Sequence, residues 1–244
     1  MSDPHVFPSK DITVTWSRRR CIHSADCVMG SPDVFEPGRK PWIEPENDRA
    51  DLVARVCERC PTGALHYERH DGGPAERPDA ETTIRATRHG ALNLRGDLRV
   101  ATPAGTITET RVALCRCGHT RNAPFCDGSH HAIGFRETGE VFQGKIGPRE
   151  GVEGPLRITA RANGPLKVTG PFTLVSADGR VRLAGGEIAL CRCGQSKNKP
   201  FCDSSHEGSG FVAAALTGES APAAAAAAPS PAPDDVTALG PSTT

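Results

Sequence analysis

The fold is decided by Cys115-Arg-Cys117-Gly-His-Thr-Arg-Asn-Ala-Pro-Phe-Cys126-Asp-Gly-Ser-His130 and its second copy, Cys191-Arg-Cys193-Gly-Gln-Ser-Lys-Asn-Lys-Pro-Phe-Cys202-Asp-Ser-Ser-His206. In each copy, a Cys-x-Cys turn can aim alternate side chains at one point, and a Cys-x3-His pair can project from one face of a helical turn. Four ligands this close together, found twice, predict two metal sites. The pairing suits a [2Fe–2S] cluster, in which each iron takes two protein ligands.

The repeat extends upstream of the ligands. Residues 84–96 match 158–170, and residues 112–118 match 188–194. Apolar residues that alternate or cluster between Gly and Pro predict short strands in these segments. Each copy should therefore be a β-rich unit whose ligand loop follows its strands.

This ligand pattern resembles the CDGSH (NEET) iron–sulfur domain family: Cys-x-Cys, Ser or Thr, Pro, then Cys-Asp-Gly-Ser-His. The first copy matches throughout, whereas the second has Ser204 in place of Gly. The resemblance implies two [2Fe–2S] clusters and a pseudo-two-fold arrangement that tandem units could supply within one monomer. A structural Cys3His zinc site is the alternative. The implied ligand sets are Cys115, Cys117, Cys126 and His130 in the first unit, and Cys191, Cys193, Cys202 and His206 in the second.

The other four cysteines form an N-terminal group, Cys21, Cys27, Cys57 and Cys60. The apolar periodicity predicts a helix over residues 48–59, which Cys60 and Pro61 would close. A Cys-Pro after a helix is typical of ferredoxins, where Pro ends the helix and the thiolate turns onto the cluster. Residues 12–16 and 64–67 are the predicted flanking strands.

Residues 11–70 are similar to the divergent single-cluster ferredoxin domain, including the motifs at residues 34–35, 41–43 and 60–64. The resemblance implies a ferredoxin-like α+β unit with one cluster. A standard ferredoxin loop reads Cys-x2-Cys-x2-Cys, but Ser24 occupies its middle position here.

Three ligands would remain, Cys21, Cys27 and Cys60, and they could hold a [3Fe–4S] cluster. Cys57 could instead add a fourth thiolate and complete a [4Fe–4S] cluster. A thioredoxin-like Cys57–Cys60 couple is the competing interpretation. It is weaker because such couples open a helix, whereas this pair closes one.

Composition favours an α+β chain of small metal-stabilised modules, since hydrophobic residues make up 37% and aromatic residues 5%. Stretches rich in Gly, Pro and charged residues predict the boundaries between the modules. The predicted parts are a flexible N-terminus (1–10), the ferredoxin-like domain (11–70), a linker (71–80), two CDGSH units (81–150 and 151–218) and a disordered Ala/Pro-rich tail (219–244).

Lys+Arg and Asp+Glu number 29 each, so the chain shows neither a nucleic-acid footprint nor a polybasic membrane anchor. The first residues do not read as a secretory signal, and no apolar run is long enough for a membrane span. A reducing cytoplasm, where cysteines bind metals rather than form disulfides, is the expected compartment.

The sequence contains neither a nucleotide-binding loop nor a nucleophile and base at a recognisable spacing, so its motifs do not indicate an enzyme. The sequence therefore predicts a non-catalytic electron carrier that serves redox partner proteins. The alternative is an iron–sulfur cluster storage or donor protein with acid-labile clusters, serving an apo-acceptor.

Overall fold

The computed structural model describes residues 3–218 of the chain. Within these residues β-strands predominate, and the few helices are short. None of these helices combines the length and the apolar composition needed to cross a membrane. The tail expected to be disordered, residues 219–244, lies outside the described residues.

The N-terminal unit is a three-stranded antiparallel sheet with helices packed on it. The elements are β1 (His5–Pro8), β2 (Ile12–Trp16), α1 (Asp26–Gly30), a 3-10 turn (Pro45–Asn47), α2 (Ala50–Arg59) and β3 (Leu65–Arg69). The strand order is β1-β2-β3, and α2, β2 and β3 lie close to the ranges predicted from the sequence.

The segment predicted to be flexible, residues 1–10, contains strand β1. This strand pairs with β2 from His5 opposite Trp16 to Pro8 opposite Thr13. The rings of His5 and Trp16 also stack, with 5.5 Å between their centroids. Backbone pairing and ring stacking thus fix the segment at the sheet edge.

Helix α2 buries one face in the core of the N-terminal unit. Val53, Val56 and Cys57 lie on that face, and Ile12 and Val14 alternate inward from the strand. The helix ends at Arg59, and Cys60 is its C-cap, with its N–H donating to the carbonyl of Cys57 at 3.1 Å. The predicted Cys-Pro helix closure is therefore present.

The rest of the described chain forms one seven-stranded sheet that both repeats build together. Neighbouring strands are antiparallel except for two parallel pairs, β4 with β9 and β5 with β8. The strands are β4 (Thr83–Ala86), β5 (Leu92–Thr102), β6 (Gly105–Leu114), β7 (Ile146–Gly147), β8 (Leu156–Ala160), β9 (Leu166–Val175) and β10 (Arg182–Leu190).

The two parallel pairs exchange strands between the repeats. Strand β4 of the first repeat joins β9 of the second, and β8 of the second joins β5 of the first. One edge of each long strand pairs first with one strand and then with another. A glycine with positive φ allows this change of partner, Gly96 (+132°) in β5 and Gly170 (+122°) in β9. A Cβ at Gly96 would collide with Thr82, and one at Gly170 with the carbonyl of Pro155.

One hydrophobic core runs through both repeats, with Leu94 and Val112 from the first beside Val168 and Leu190 from the second. Strand β7, from the predicted 81–150 unit, pairs with β10 of the 151–218 unit. The predicted boundary at residue 150 therefore does not separate two sheets, because the strand exchange makes them one.

A cluster of ionisable side chains, here called the junction cluster, joins the N-terminal unit to the large sheet. Arg111 of β6 is 1% exposed and donates to the carbonyls of Cys60 (3.1 Å) and Leu65 (2.8 Å) and to Glu76 (2.7 Å). The predicted linker 71–80 has no helix or strand, but Glu76 anchors it here. The junction cluster consists of Arg20, His66, Glu76, Glu109 and Arg111.

His66 lies between the two carboxylates of the junction cluster, 2.9 Å from Glu76 and 3.2 Å from Glu109. Burial favours the neutral ring, but hydrogen bonds to Glu109 and Glu76 outweigh burial and raise the pKa of His66 from 6.5 to about 9. Burial also opposes the charge on Glu76, yet His66 and Arg111 lower its pKa to about 2. The protonated imidazole thus helps to hold two structural units together.

The raised pKa of His66 predicts a pH-dependent stability. Its contribution is complete below pH 6.5 and is lost as the pH rises through about 9. The ring is partly exposed, so solvent screening should limit the loss to about 1 kcal/mol. As the pH rises between these values, the midpoint of thermal unfolding should fall for the wild type and change less for His66→Gln. The exposed His70 supplies the control, His70→Gln, which should keep the wild-type slope; equal slopes for all three proteins would contradict the assignment.

Candidate metal centres

The first Cys-x-Cys pair follows directly on strand β6. Leu114 at the strand end forms a β-bridge with Phe125, and the N–H of Cys115 donates to the carbonyl of Pro124 at 2.9 Å. These backbone contacts fold the loop back on the strand. The Sγ atoms of Cys115 and Cys117 are 3.6 Å apart.

The second ligand pair of this site lies at the far end of the same loop. Cys126 Sγ is 3.3 Å from His130 Nδ1. Helix α3 (Ser129–Ala132) brings the imidazole back over the thiol, as the x3 spacing predicts. Both residues are almost fully buried, with Cys126 3% and His130 5% exposed.

The turn before α3 has a glycine at its N-cap. Gly128 occupies the cap position with φ +85°. The carboxylate of Asp127 accepts hydrogen bonds from the backbone N–H groups of Ser129 (3.0 Å) and Arg121 (2.9 Å). Asp127 thus ties the ligand turn to the preceding loop.

The second repeat reproduces this geometry. The Sγ atoms of Cys191 and Cys193 are 3.7 Å apart, and Cys202 Sγ is 3.4 Å from His206 Nδ1. Asp203 makes the same two contacts, accepting from the N–H groups of Ser205 (3.0 Å) and Lys197 (2.8 Å). The site differs in exposure, because Cys202 and His206 are only half-buried.

These separations can be compared with the distance between two ligand atoms that bind the same metal ion. Two thiolates at about 2.3 Å from one tetrahedral ion lie about 3.7 Å apart, and a thiolate and an imidazole nitrogen lie about 3.5 Å apart. All four ligand pairs match the span of one ion each. Among residues 3–218, no three Cys, His, Asp or Glu side chains gather around a single ion position. Each repeat thus offers two donor pairs, each with the span of one ion.

A small cavity of about 80 Å³ opens beside Cys115. Gly118 and Pro124 line it from the first repeat, and Arg192 and Phe211 line it from the second. Residues of both repeats thus enclose the space next to the first ligand pair.

The two Cys-x-Cys turns lie against each other. A Cβ at Gly118 would collide with the carbonyl of Cys193, and a Cβ at Gly194 would collide with the carbonyl of Cys117. Each turn therefore needs glycine, with no side chain, where the other turn approaches. This close approach brings the Cys-x-Cys turns of the two repeats into contact.

The arginine inside each Cys-x-Cys pair is buried at this contact. Arg116 donates to the carbonyls of Thr87 and Gly90, and within the described residues its Nη1 finds no hydrogen-bond partner. Burial lowers the pKa of Arg116 and of Arg192, and the thiols of both repeats oppose this effect, among them Cys191 for Arg116. Sequence reasoning did not use these arginines, although their repetition in both motifs was an available signal.

The N-terminal cysteines gather around one small hydrophobic core. Cys57 and Cys60 are buried in it, and Cys21 and Cys27 pack at its edge, half-buried. Cys60 Sγ lies 3.5 Å from the hydroxyl of Thr62. All four predicted residues thus belong to the same core, and thiolates are the usual ligands of iron–sulfur clusters.

Burial keeps most thiols of the three candidate sites protonated in the metal-free chain. It raises the pKa of Cys27 and Cys126 to about 11 and raises that of Cys57 further. In the first Cys-x-Cys pair, the hydrogen bond from Cys117 lowers the pKa of Cys115 below its usual value. Metal loading must therefore displace protons from most ligands.

Ser204 marks a local strain in the second site. It has φ +67° where the first repeat has Gly128 at +85°. A left-handed conformation costs a non-glycine residue about 1 kcal/mol. We expect Ser204→Gly to raise the free energy of unfolding by about this amount. The matched variant Gly128→Ser should lower it, because nothing lies within 4 Å of the added Cβ and the cost is purely conformational. Denaturant unfolding measures both, and destabilisation by Ser204→Gly would contradict the strain.

Comparisons with known proteins agree with this arrangement. The family model described as "Divergent 4Fe-4S mono-cluster" matches residues 7–70, and that described as "Iron-binding zinc finger CDGSH type" matches residues 89–131 and 163–207. The uncharacterized protein YjdI of Escherichia coli K12 is 39% identical over 61 residues, which are 25% of this chain and 80% of YjdI. YjdI of Escherichia coli O157:H7 gives the same values. No solved structure matches the chain. The chain therefore carries an N-terminal divergent 4Fe-4S mono-cluster domain followed by two tandem copies of the CDGSH-type iron-binding domain.

Proposed function

We propose that the chain is an electron carrier with three iron–sulfur centres. The observation that carries the proposal is the division of each CDGSH site into two ligand pairs. The two ligand atoms of a pair are 3.6 and 3.3 Å apart in the first site, and 3.7 and 3.4 Å apart in the second. Each pair suits one iron of a [2Fe–2S] cluster. The ligands of the first cluster would be Cys115, Cys117, Cys126 and His130, and those of the second Cys191, Cys193, Cys202 and His206.

The third centre would be a [4Fe–4S] cluster in a ferredoxin-like domain. The matching family model names four irons, and such clusters usually take four thiolates. Ser24 stands where a standard ferredoxin loop has a ligand, so Cys57 would complete the set begun by Cys21, Cys27 and Cys60. A [3Fe–4S] cluster on those three is the other outcome.

The two CDGSH units would be related by a pseudo-two-fold axis within a monomer. Reciprocal strand exchange supports this, since β4 pairs with β9 as β8 pairs with β5. The mutual contact of Gly118 and Gly194 with the opposite turn supports it as well. One chain would thus supply both halves of the arrangement.

When bound, the clusters would supply one-electron chemistry. The chain would bind the irons through its thiolates and imidazoles, and the buried Arg116 and Arg192 would place positive charge beside both Cys-x-Cys pairs. Its partners would be redox proteins rather than a small substrate. A reducing compartment such as the cytoplasm suits the ten cysteines, all of which are free thiols.

A cluster donor is the second candidate. The half-buried Cys202–His206 pair favours it, because an acceptor protein could reach these ligands more readily than the buried pair of the first repeat. Transfer of a cluster to an apo-acceptor, followed by visible absorbance, would support this function. Reversible one-electron reduction with no cluster loss would favour the carrier.

The metal content tests the proposal directly. Protein purified without oxygen should contain iron and acid-labile sulfide in near-equal amounts and little zinc. Redox titration followed by electron paramagnetic resonance (EPR) should then show reversible one-electron steps at both kinds of centre. Full occupancy by zinc, or clusters that fall apart on reduction, would rule out the carrier.

Cys57 decides the type of the N-terminal centre. Its replacement in Cys57→Ala should convert a [4Fe–4S] cluster into a [3Fe–4S] cluster or empty the site, because one thiolate is lost. EPR and iron content report the result, with Ser24→Ala as a control at the non-cysteine position. An unchanged spectrum in Cys57→Ala would leave a three-cysteine site.

A further inference from the structure

We propose that the three centres form a linear relay in which the first CDGSH site is the obligatory middle station. Electrons would pass between the N-terminal centre and the second CDGSH site only through the first. This inference rests on the electron-carrier function proposed above and adds the order of the centres.

The first link is a direct packing contact between ligand-bearing segments. Ile22, which follows Cys21, packs into a small apolar cluster with Ala91, Ala113 and Cys126. Only one side chain therefore separates a ligand of the N-terminal centre from a ligand of the first CDGSH site.

Polar contacts hold this link in place. The guanidinium of Arg19 donates to the amide oxygen of Asn122 at 3.2 Å, and the Asn122 amide donates back to the carbonyl of Arg19 at 2.8 Å. Arg20 lies over the ring of Phe125, 4.9 Å from its centroid, and donates to the carbonyl of Thr62 at 2.7 Å. These residues fasten the N-terminal unit to the ligand loop of the first repeat.

The second link is the contact between the two Cys-x-Cys turns. Gly118 meets the carbonyl of Cys193, and Gly194 meets the carbonyl of Cys117. The first site therefore touches the second across backbone that belongs to the ligands themselves. Its two faces contact the two other centres.

In the second repeat, the position of the N-terminal unit is taken by the chain itself. Asn198, the counterpart of Asn122, donates to the carbonyl of Gln143 at 2.9 Å. Gly144 lies against the ring of Phe201, the counterpart of Phe125. This segment covers the face through which the N-terminal unit would have to dock on the second site.

The exposure of the ligands also separates the middle centre from the two at the ends. The middle pair, Cys126 and His130, is buried, at 3% and 5% exposed. The outer ligands Cys21 and Cys27 at one end, and Cys202 and His206 at the other, are half-buried. Outside proteins can approach the two ends but not the middle.

The ligand sets give the relay a direction. An imidazole in place of a thiolate raises the reduction potential of an iron–sulfur centre, as in Rieske proteins. An electron received by the all-cysteine N-terminal centre from a low-potential one-electron donor protein would thus move downhill. The N-terminal centre would lose that electron as the first CDGSH site gained it. The second site would then receive it and pass it to a one-electron acceptor protein.

Two matched double variants test the order. Cys115→Ala/Cys117→Ala empties the middle site, and Cys191→Ala/Cys193→Ala empties the end site by the same chemistry. Each full-length protein is loaded anaerobically, its iron content is measured, and it is mixed with a limiting amount of reduced [4Fe–4S] ferredoxin. Freeze-quench EPR then follows which cluster is reduced at each time.

Emptying the middle site should slow reduction of the second CDGSH cluster severalfold while the N-terminal cluster is still reduced. Emptying the end site should leave reduction of the first CDGSH cluster at its wild-type rate. Equal rates for the second cluster with and without the middle one would overturn the relay. Clusters that accept no electron at all would instead overturn the carrier function, so the two failures are distinguishable.

A second pair of variants leaves every ligand in place, in case the double variants fold poorly. Ile22→Ala should slow transfer from the N-terminal to the first CDGSH cluster severalfold. Ile133→Ala, at an exposed isoleucine after helix α3, should not. Dipolar spin–spin coupling between the same two reduced clusters should be equal in both variants, because it depends on the distance between the clusters. Equal transfer rates in the two variants would overturn the proposed link.

Discussion

The exchange of β4 and β8 between the repeats is the constraint on which the rest of the molecule depends. A unit of this size cannot bury enough apolar surface alone, and the exchange gives both repeats one common core. Because β6 and β10 both end at this core, the ligand loops that follow them come out side by side. The glycine bends at Gly96 and Gly170 make the exchange possible, since each long strand must turn from one neighbour to the next.

The same module surface has two different neighbours. In the first repeat, Asn122 and Phe125 receive the N-terminal unit, and in the second, Asn198 and Phe201 receive the segment around Gly144. Duplication therefore produced two similar sites in unlike surroundings. Cys126 and His130 of the first site are buried, whereas Cys202 and His206 of the second remain partly open to solvent.

Local features of this chain could be predicted from its sequence, whereas long-range ones could not. The spacing of Cys126 and His130 fixes a helical turn, and apolar periodicity places α2, because both depend on residues a few positions apart. The pairing of Glu76 with Arg111 joins distant residues and leaves no periodic signal, so residues 71–80 read only as a linker. The paired β1 strand was missed for the same reason, since its order comes from its partner strand.

The mutual contact of Gly118 and Gly194 has a consequence for the evolution of the chain. Duplicated domains usually diverge independently, since a change in one copy is not felt in the other. Here an enlarged residue at either position would press on the cysteine backbone of the opposite copy. Selection must therefore act on the two copies as a pair, and neither can be exchanged for a foreign domain unless the other changes with it.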